Sequence, residues 1–393
     1  MHLFESRYFN LNRLLMSSIG LWPYQKLGSR RIKMFLVSFF LVEGIMAQLM
    51  SFVTIEYSRD LLTKVFSFSF IILISTVEYN VLYFKSEQVK CLFEQVLYDW
   101  HALTDAEEIE IIQKYANKGR LCTIIAGFCL YSGILVFILL FFVPDILDIV
   151  APLNEPRRHQ LPIAIETFFD QEKYFLFIII NFLVIALIDL TILLTVETLY
   201  AICIQHACGL LKLTSHRILN AFDDRLQQMS MFKSKCTICV KLSKAIKIHR
   251  RSLEFAECLC STFSISYLIL CIFGVASLSI NLFELLKAIE SKHTSQITYF
   301  GLFVFAHLCY MFWVNYFGQN LIDNSADVFV QTYNVQWYTV SPHIQKKILF
   351  ILHRSSKNIL FDVGNMFTFS MDGVATLINS SLSYSMLLYS TRT

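Results

Sequence analysis

Residues 372–389 read DGVATLINSSLSYSMLLY, and this stretch combines the length of a membrane span with a regular polar stripe. The stripe consists of Thr376, Ser380, Ser383, Leu387 and Thr391, at steps of four, three, four and four. Such steps place side chains on one face of a helix. Apolar residues such as Leu377 and Leu382 occupy the other faces. A helix of this kind either borders water inside an assembly or packs its small hydroxyl residues against neighbouring helices.

The composition of the whole chain is that of a helical membrane protein. Of its 393 residues 55% are hydrophobic and 16% are charged, and the mean hydropathy is +0.55. Soluble domains carry about 25% charged residues. The chain has 36 Phe but only 12 Gly and 6 Pro, which leaves little sequence for a separate soluble domain.

Seven stretches are long enough to cross the roughly 30 Å of hydrocarbon in a bilayer. They are Met34–Thr54, Thr63–Phe84, Leu121–Val143, Tyr174–Tyr200, Cys258–Leu286, Ile297–Phe317 and Asn365–Tyr389. Residues 1–33 lack the apolar core of a signal peptide, so we expect the first span to direct insertion. The sequence therefore predicts an all-α membrane protein with seven transmembrane helices.

The basic residues predict the orientation in the membrane. Residues 1–33 and the loops 85–120, 205–256 and 318–361 together hold 25 of the 33 Lys and Arg residues. This bias predicts a cytoplasmic N-terminus and an extracellular C-terminus. The orientation is the reverse of a G-protein-coupled receptor, and the chain has no Asn-Pro pair for the NPxxY pattern of those receptors. We therefore disfavour that class.

The sequence offers no motif for catalysis, for a metal or for a cofactor. The CxxC pair Cys236 and Cys239 has no second pair to complete a zinc site, and all 11 Cys fall in spans or on the predicted cytoplasmic side. No glycine-rich phosphate loop or Walker motif is present, and no nucleophile and base stand at a catalytic spacing. We expect no enzyme activity, no cofactor, no metal and no nucleic-acid partner.

The predicted inner loops are rich in helical patterns. In loop 85–120, apolar residues from Val89 to Leu97 recur at helical spacing, Thr104-Asp105 predicts a new helix start, and Lys118-Gly119 a stop. The later part of loop 205–256 runs into span five without a breaker. We expect the spans to extend as helices into the cytoplasm and form an anchor region there. The longest outer loop, 144–173, fits either an ordered cover or a flexible segment.

Four ionisable residues fall within the predicted spans. They are Glu43, Glu78, Asp189 and His307. An intramembrane ionisable group marks either a functional site or a structural pair. We favour structural pairing for each of the four.

The residues that follow span six resemble a known family. The segment 316–357 reads YFGQNLIDNSADVFVQTYNVQWYTVSPHIQKKILFILHRSSK, and residues 367–389 read FTFSMDGVATLINSSLSYSMLLY. The family pattern is carried by Phe317-Gly318, Ser325, Tyr333, Trp337-Tyr338, Lys346-Lys347, Arg354, Ser370 and Tyr384-Ser385. On these residues the chain resembles the insect odorant receptors. Its second inner loop is too short for the co-receptor of that family, so the chain looks like an odour-tuned subunit.

The resemblance implies a ligand-gated, non-selective cation channel. Four subunits, co-receptor subunits among them, would surround one pore lined by the last helix, in a heterotetramer embedded in membrane lipid. The polar stripe would then line the pore, with Leu387 as its gate. Tyr333, Trp337 and Tyr338 would lie at the subunit interface. The implied location is the plasma membrane of a sensory dendrite.

The resemblance also divides the chain into regions. They are a cytoplasmic N-terminal segment (1–33), six transmembrane helices with the odorant pocket (34–317), a cytoplasmic anchor segment (318–361) and the pore-lining helix (362–393). A small volatile odorant would bind between the outer halves of spans two, three, four and six, where apolar walls supply most of the affinity. The predicted pocket residues are Phe70, Ile74, Tyr131, Leu135, Phe177, Asn181, Tyr299 and Phe303. A gustatory receptor subunit for a tastant, or a carrier of small hydrophobic molecules, is the alternative.

Overall fold

The computed structural model describes residues 2–54, 58–143, 148–149, 173–222, 231–364 and 366–391. The helices are α1 (Asn10–Ser18), α2 (Leu27–Leu49), α3 (Ser51–Thr54), α4 (Arg59–Phe84), α5 (Ser86–Ala102), α6 (Ala106–Phe141), α7 (Phe175–Ala221), α8 (Met231–Glu290), α9 (Thr294–Asn334), α10 (Pro342–Ser355) and α11 (Met371–Ser390). Short 3-10 turns lie at His2–Glu5 and Trp337–Thr339. The predicted outer loop 144–173 lies outside the described residues apart from 148–149 and 173.

The chain is an all-α membrane protein, as its sequence predicts. Six segments of the described chain are long and apolar enough to cross a membrane: Leu27–Thr54, Arg59–Phe84, Ala106–Leu139, Phe175–Ala221, Thr237–Glu290 and Thr294–Asn334. The seventh predicted span corresponds to α11, whose 20 residues extend about 30 Å. Its many hydroxyl residues make it less apolar than the other six.

Helix α7 is the centre of the bundle. It packs against α6, α8, α9 and α4. Its side chains Ile192, Leu210 and Leu211 are fully buried, and they belong to a hydrophobic core that includes residues from Phe4 to Phe369. A helix that is apolar on all sides is expected in such a central position.

The N-terminal residues are part of this core. Phe4 and Trp22 both contact Phe93 of α5, with ring centroids 5.1 Å and 5.2 Å away. The amide nitrogen of Asn12 donates to the Thr198 hydroxyl of α7 at 2.9 Å. The segment that precedes α2 is therefore folded back onto the bundle.

The helices extend far beyond the length of a membrane span, as predicted. Helices α7, α8 and α9 have 47, 60 and 41 residues. The predicted helix stop at Lys118-Gly119 is wrong, because α6 continues without interruption to Phe141. A Cβ atom on Gly119 would lie 3.0 Å from the Ile202 side chain. This glycine permits a close approach of α6 to α7 and does not end the helix.

The predicted start of the last span is also wrong. Asn365 lies outside the described residues, but β1 (Asp362–Val363) and β2 (Phe367–Thr368) form an antiparallel ribbon before α11. Asp362 pairs with Thr368, and Val363 pairs with Phe367. Helix α11 begins after Ser370, whose hydroxyl accepts a hydrogen bond from the Gly373 amide at 3.1 Å. Ser370 is thus an N-cap.

Candidate functional site

A cluster of aromatic rings lies where α4, α6, α7 and α9 meet. The Phe303 ring of α9 is 4.7 Å from Phe68 of α4 and 5.6 Å from Phe137 of α6. Phe137 also contacts Tyr299 at 5.7 Å and Phe182 of α7 at 6.0 Å. The ring separations and tilted or edge-on geometries are those that aromatic pairs favour. These four helices are predicted spans two, three, four and six, and the cluster is apolar.

The structure brings some of the predicted pocket residues into this cluster. Tyr299 and Phe303 belong to it. Ile74 is buried on α4 in the main hydrophobic core. Phe70 instead contacts Phe273 of α8, with ring centroids 5.6 Å apart. Tyr131 is hydrogen-bonded to α7, since its hydroxyl lies 3.0 Å from that of Thr191.

Two further predicted pocket residues are mostly exposed. Leu135 and Phe177 are 58% and 65% exposed in the described chain. Phe68, Phe137 and Phe182 were missed by the sequence reasoning. Helices α4, α6 and α7 are apolar around most of their circumference, so no amphipathic pattern indicates which face points inward.

Two of the ionisable residues within the spans have structural partners, as predicted. The Asn181 amide donates to Glu43 Oε1 at 2.8 Å and so joins α7 to α2. His307 Nε2 lies 2.8 Å from the Ser277 hydroxyl, and its Nδ1 lies 2.8 Å from the Phe303 carbonyl. The amide of Asn181, predicted to contact a polar ligand group, is therefore engaged with a carboxylate. Glu78 also has a hydroxyl partner, in Tyr310, and Asp189 is buried on α7.

Helix α11 has one face against the bundle and one face uncovered by the described chain. Gly373, Leu377, Ser381 and Ser385 are buried, and the helix packs on α8 and α9. On the stripe, Thr376, Ser383, Leu387 and Thr391 are exposed and Ser380 is half-buried. The stripe hydroxyls bond to carbonyls of their own helix, as Ser380 does to Thr376 at 2.8 Å. The described chain offers these hydroxyls no neighbouring helix.

The inner end of α11 is held by polar side chains of α9. Asn315 Oδ1 accepts a hydrogen bond from the Ser370 amide at 3.1 Å, and Gln319 Oε1 accepts one from the Met371 amide at 3.2 Å. Between them, Gly318 lies so close to the Phe369 backbone that an added Cβ would be 2.3 Å from its carbonyl oxygen. This contact leaves no room for a side chain at position 318, which explains the glycine of the Phe317-Gly318 pair.

The outer end of α11 is held by α4 and α8. Arg59 Nη1 donates to the Thr391 carbonyl at 3.0 Å, and the Tyr389 hydroxyl bonds to Glu290. A cation at the C-terminal end of a helix also interacts favourably with the helix dipole. Both ends of α11 are therefore fixed to helices that contribute to, or adjoin, the aromatic cluster.

The predicted cytoplasmic ends of the helices are joined by ion pairs. Buried Asp99 of α5 accepts from Arg251 Nε at 2.6 Å and lies 3.1 Å from His206 Nε2. At the junction of α4 and α5, the Lys85 ammonium donates to the Ser261 and Thr262 carbonyls at 2.7 Å and 3.0 Å. Burial lowers the pKa of Lys85.

The predicted interface residues leave much aromatic surface uncovered. Tyr333 and Tyr338 are 60% and 67% exposed. Trp337 is half-buried against a small apolar core that includes Ile344 and Ile348 of α10. The segment is thus anchored to the chain by Trp337 while both tyrosines remain accessible.

A family profile and two curated receptors are similar in sequence to this chain. The profile of the family described as 7tm Odorant receptor matches residues 58–382. Odorant receptor Or2 of Anopheles gambiae is 24% identical over 153 residues, which are 39% of this chain and 39% of that receptor. The odorant receptor coreceptor of Anopheles gambiae is 26% identical over 107 residues, 26% of this chain and 22% of the coreceptor. The matched segments thus span less than half the length of these curated relatives.

A solved structure is similar over nearly the whole chain. The insect olfactory receptor OR5 from Machilis hrabei, in complex with eugenol, superimposes with a TM-score of 0.75 at 14% identity, over 98% of this chain and 100% of that chain. A second structure of the same receptor gives a TM-score of 0.74 at 14% identity, over 98% of each chain. The TM-score establishes a shared fold, and at 14% identity the likeness extends to the fold alone.

Proposed function

Because the chain belongs to the 7tm odorant receptor family, we propose that it is the odorant-binding subunit of a ligand-gated, non-selective cation channel. A small, mainly apolar volatile molecule binds among the aromatic rings between α4, α6, α7 and α9. Binding opens a pore lined by the polar stripe of α11. The channel acts in the plasma membrane.

The observation that carries this proposal is the uncovered hydroxyl face of α11. The helix is fixed at both ends by hydrogen bonds, yet its stripe has no partner helix within the described chain. Hydroxyl groups can solvate a passing cation, and a ring of apolar side chains can block conduction by dewetting. Several copies of α11 around one axis would provide both features.

The ligand site in this proposal centres on Phe303. Tyr299 and Phe137 extend the aromatic surface on one side, and Phe68 on the other. Burial of apolar ligand surface contributes about 25 cal/mol per Å², so aromatic walls alone can bind a small volatile. Of the sequence-predicted residues we retain Ile74, Tyr299 and Phe303 as the first positions to test.

The partner in this proposal is a co-receptor subunit in a heterotetramer. The exposed tyrosines Tyr333 and Tyr338 supply contact surface at the predicted cytoplasmic end. Exposed aromatic side chains are enriched at protein interfaces.

The test is to record currents from cells that express this chain with and without a co-receptor, over a panel of volatiles. We expect an agonist to open a cation conductance that persists in excised patches without nucleotides. A response that requires GTP would contradict a channel. Ligand binding without any current would favour a carrier, and responses confined to sugars or bitter compounds would favour a gustatory subunit.

A further inference from the structure

Two carboxyl groups lie close together in the interior of the bundle, between α4, α7 and α9. Glu78 of α4 is fully buried and Glu197 of α7 is 6% exposed. The Tyr310 hydroxyl of α9 lies 3.1 Å from Glu78 Oε1 and 2.8 Å from Glu197 Oε1. One hydroxyl carries one proton, so it can donate to only one of the two carboxylates at a time.

The surroundings of the pair contain further acids and hydroxyls. The Tyr267 hydroxyl of α8 donates to Glu197 Oε1 at 3.1 Å. The Tyr200 ring of α7 packs 5.0 Å from the Tyr267 ring, and Asp189 is a third buried carboxyl group on α7. Among the described residues, no hydrogen bond or ion pair links Glu78 or Glu197 to a Lys, Arg or His.

Several oxygen atoms around this carboxyl pair have no hydrogen-bond partner among the described residues. Glu78 Oε2, Glu197 Oε2 and the Tyr200 hydroxyl are buried without a hydrogen bond. Buried polar groups are nearly always hydrogen-bonded, so unpaired oxygens gathered in one place call for a physical explanation. The two carboxyl groups are neighbours, because the same Tyr310 hydroxyl lies within hydrogen-bonding distance of an oxygen of each.

Two ionised carboxylates in this place would be strongly unfavourable. Each would lose its hydration without gaining a counter-ion, and the two like charges would repel each other. A metal ion is a poor alternative, because within the described ranges no group of three His, Cys, Asp or Glu is placed to hold one. A single proton removes one charge and supplies the donor that the unpaired Oε2 atoms lack.

We propose that Glu78 and Glu197 form a proton-binding site, in which one proton is shared between the two carboxyl groups. The occupied site keeps one negative charge, which the Tyr310 and Tyr267 hydroxyls stabilise. It joins α4, α7, α8 and α9. Two of these helices also carry Phe68 and Phe303, so the proton lies on the same elements as the proposed ligand site.

The sign of the pH dependence follows from this count of protons. In the unfolded chain a Glu has a pKa of about 4.3, so at neutral pH both side chains would be ionised. The folded site holds one proton that the unfolded chain does not. Rising pH therefore favours unfolding, by up to about tenfold in the equilibrium constant per pH unit while the site stays occupied.

The first test is infrared spectroscopy of the purified receptor assembly in lipid at about pH 8, well above the ordinary range of a carboxyl group. We expect the C=O stretching band of a protonated carboxylic acid in the unmodified protein. The band should vanish in E78Q and in E197Q, since the Gln amide replaces the shared proton as donor. Two single variants keep the test open if one of them fails to fold.

The matched control is Glu284, a carboxyl group that is also buried but pairs with Lys287 at 2.9 Å. We expect the band to persist in E284Q. The apparent melting temperature should fall between about pH 6 and pH 9 in the unmodified protein and in E284Q, and stay level in E78Q and E197Q.

Three results would overturn the proposal. The first is the absence of a protonated carboxyl band in the unmodified protein. The second is a band that survives both single Gln substitutions, which would place a proton on each residue or elsewhere. The third is a band lost in D189N alone, which would assign the proton to Asp189. None of these measurements depends on a current, so the site can fail while the channel proposal stands, and the reverse.

Discussion

At the scale of single residues, Leu387 is the large aliphatic side chain on a stripe that otherwise carries hydroxyls. It is 57% exposed, on the face of α11 that the rest of the described chain leaves uncovered. A ring of such side chains around a pore would form an apolar constriction that empties of water. We predict that L387Q hydrates this constriction and raises the current measured without agonist.

The neighbouring Leu388 provides the control for this prediction. It is half-buried on a different face of α11. An amide introduced there would meet apolar neighbours, so L388Q should lower surface expression and leave no leak. Basal current is compared at matched surface expression. A leak from L388Q with none from L387Q would mean that the pore-facing side of α11 is rotated by about 100°.

Gly318 makes a second residue-scale prediction. Its missing side chain lets α9 touch the Phe369 backbone, where an added Cβ would lie 2.3 Å from a carbonyl oxygen. We predict that G318A displaces the segment before α11 and destabilises the fold by about 1–3 kcal/mol, the usual cost of overpacking. Thermal unfolding followed by size-exclusion fluorescence would measure the effect.

Gly301, on the same helix, is the matched control for Gly318. An added Cβ there would meet nothing within 4 Å. G301A should therefore leave the melting temperature unchanged or raise it slightly, because alanine stabilises a helix by up to about 1 kcal/mol relative to glycine. Equal melting temperatures for the two variants would show that the Phe369 segment moves aside at little cost.

At the scale of secondary-structure elements, α11 depends on α9 for its start. Asn315 is fully buried, and its Oδ1 accepts a hydrogen bond from the Ser370 amide at 3.1 Å. N315A would leave that amide without an acceptor, at a cost of about 1–3 kcal/mol. We predict a lower melting temperature and altered channel opening, measured by unfolding and by the agonist concentration for half-maximal current.

Asn320 is the control for Asn315. Its amide donates to the Tyr316 carbonyl of its own helix at 2.9 Å, and no hydrogen bond links its side chain to the residues before α11 among those described. N320A should lower stability by less than N315A does. If the two substitutions have equal effects on opening, the Asn315 contact is not what positions α11.

The sequence predicted the elements better than it predicted their ends and rotations. Hydropathy predicted seven spans, because a helix needs about 20 apolar residues to cross a membrane, and six of them match long apolar segments of the described chain. Gly119 was misjudged as a helix stop because its contact with Ile202 is long-range, and a sequence contains no record of such contacts. The short ribbon before α11 was missed for a different reason, since two-residue strands have no periodicity to detect.

The pocket shows the same limit in a different form. Phe70 was predicted as a pocket residue, but Phe68 carries the contact with Phe303. Two residues along a helix correspond to a rotation of about 200°, so an error of this size moves a side chain to the opposite face. On α9 the prediction succeeded for Tyr299 and Phe303, which lie four residues apart and therefore on one face.

At the scale of the whole molecule, a few very long helices connect regions with different roles. Helix α8 has 60 residues and extends about 90 Å, three times the thickness of the hydrocarbon core. Its Ser277 contacts His307 of α9, whose Nδ1 lies 2.8 Å from the Phe303 carbonyl. Its Tyr267 donates to Glu197, and the helix packs against α11. A displacement of α8 would therefore shift residues at the proposed ligand site, the proposed proton site and the pore helix together.

The last prediction concerns the assembly of whole subunits. Tyr333 and Tyr338 are mostly exposed, and Trp337 between them packs against the small apolar core that includes Ile344 and Ile348 of α10. Loss of a buried aromatic contact at an interface commonly costs more than 1 kcal/mol of binding free energy. We predict that the double variant Y333A/Y338A folds normally but recovers less co-receptor when the complex is purified through this chain.

L14A removes an apolar side chain that is also exposed, on α1 and away from the proposed contact surface. It should not change the recovery, because exposed residues outside an interface contribute little to binding. Undiminished recovery with Y333A/Y338A would exclude these tyrosines from the contact and direct the search to other exposed side chains of the helix ends, such as Phe350 of α10.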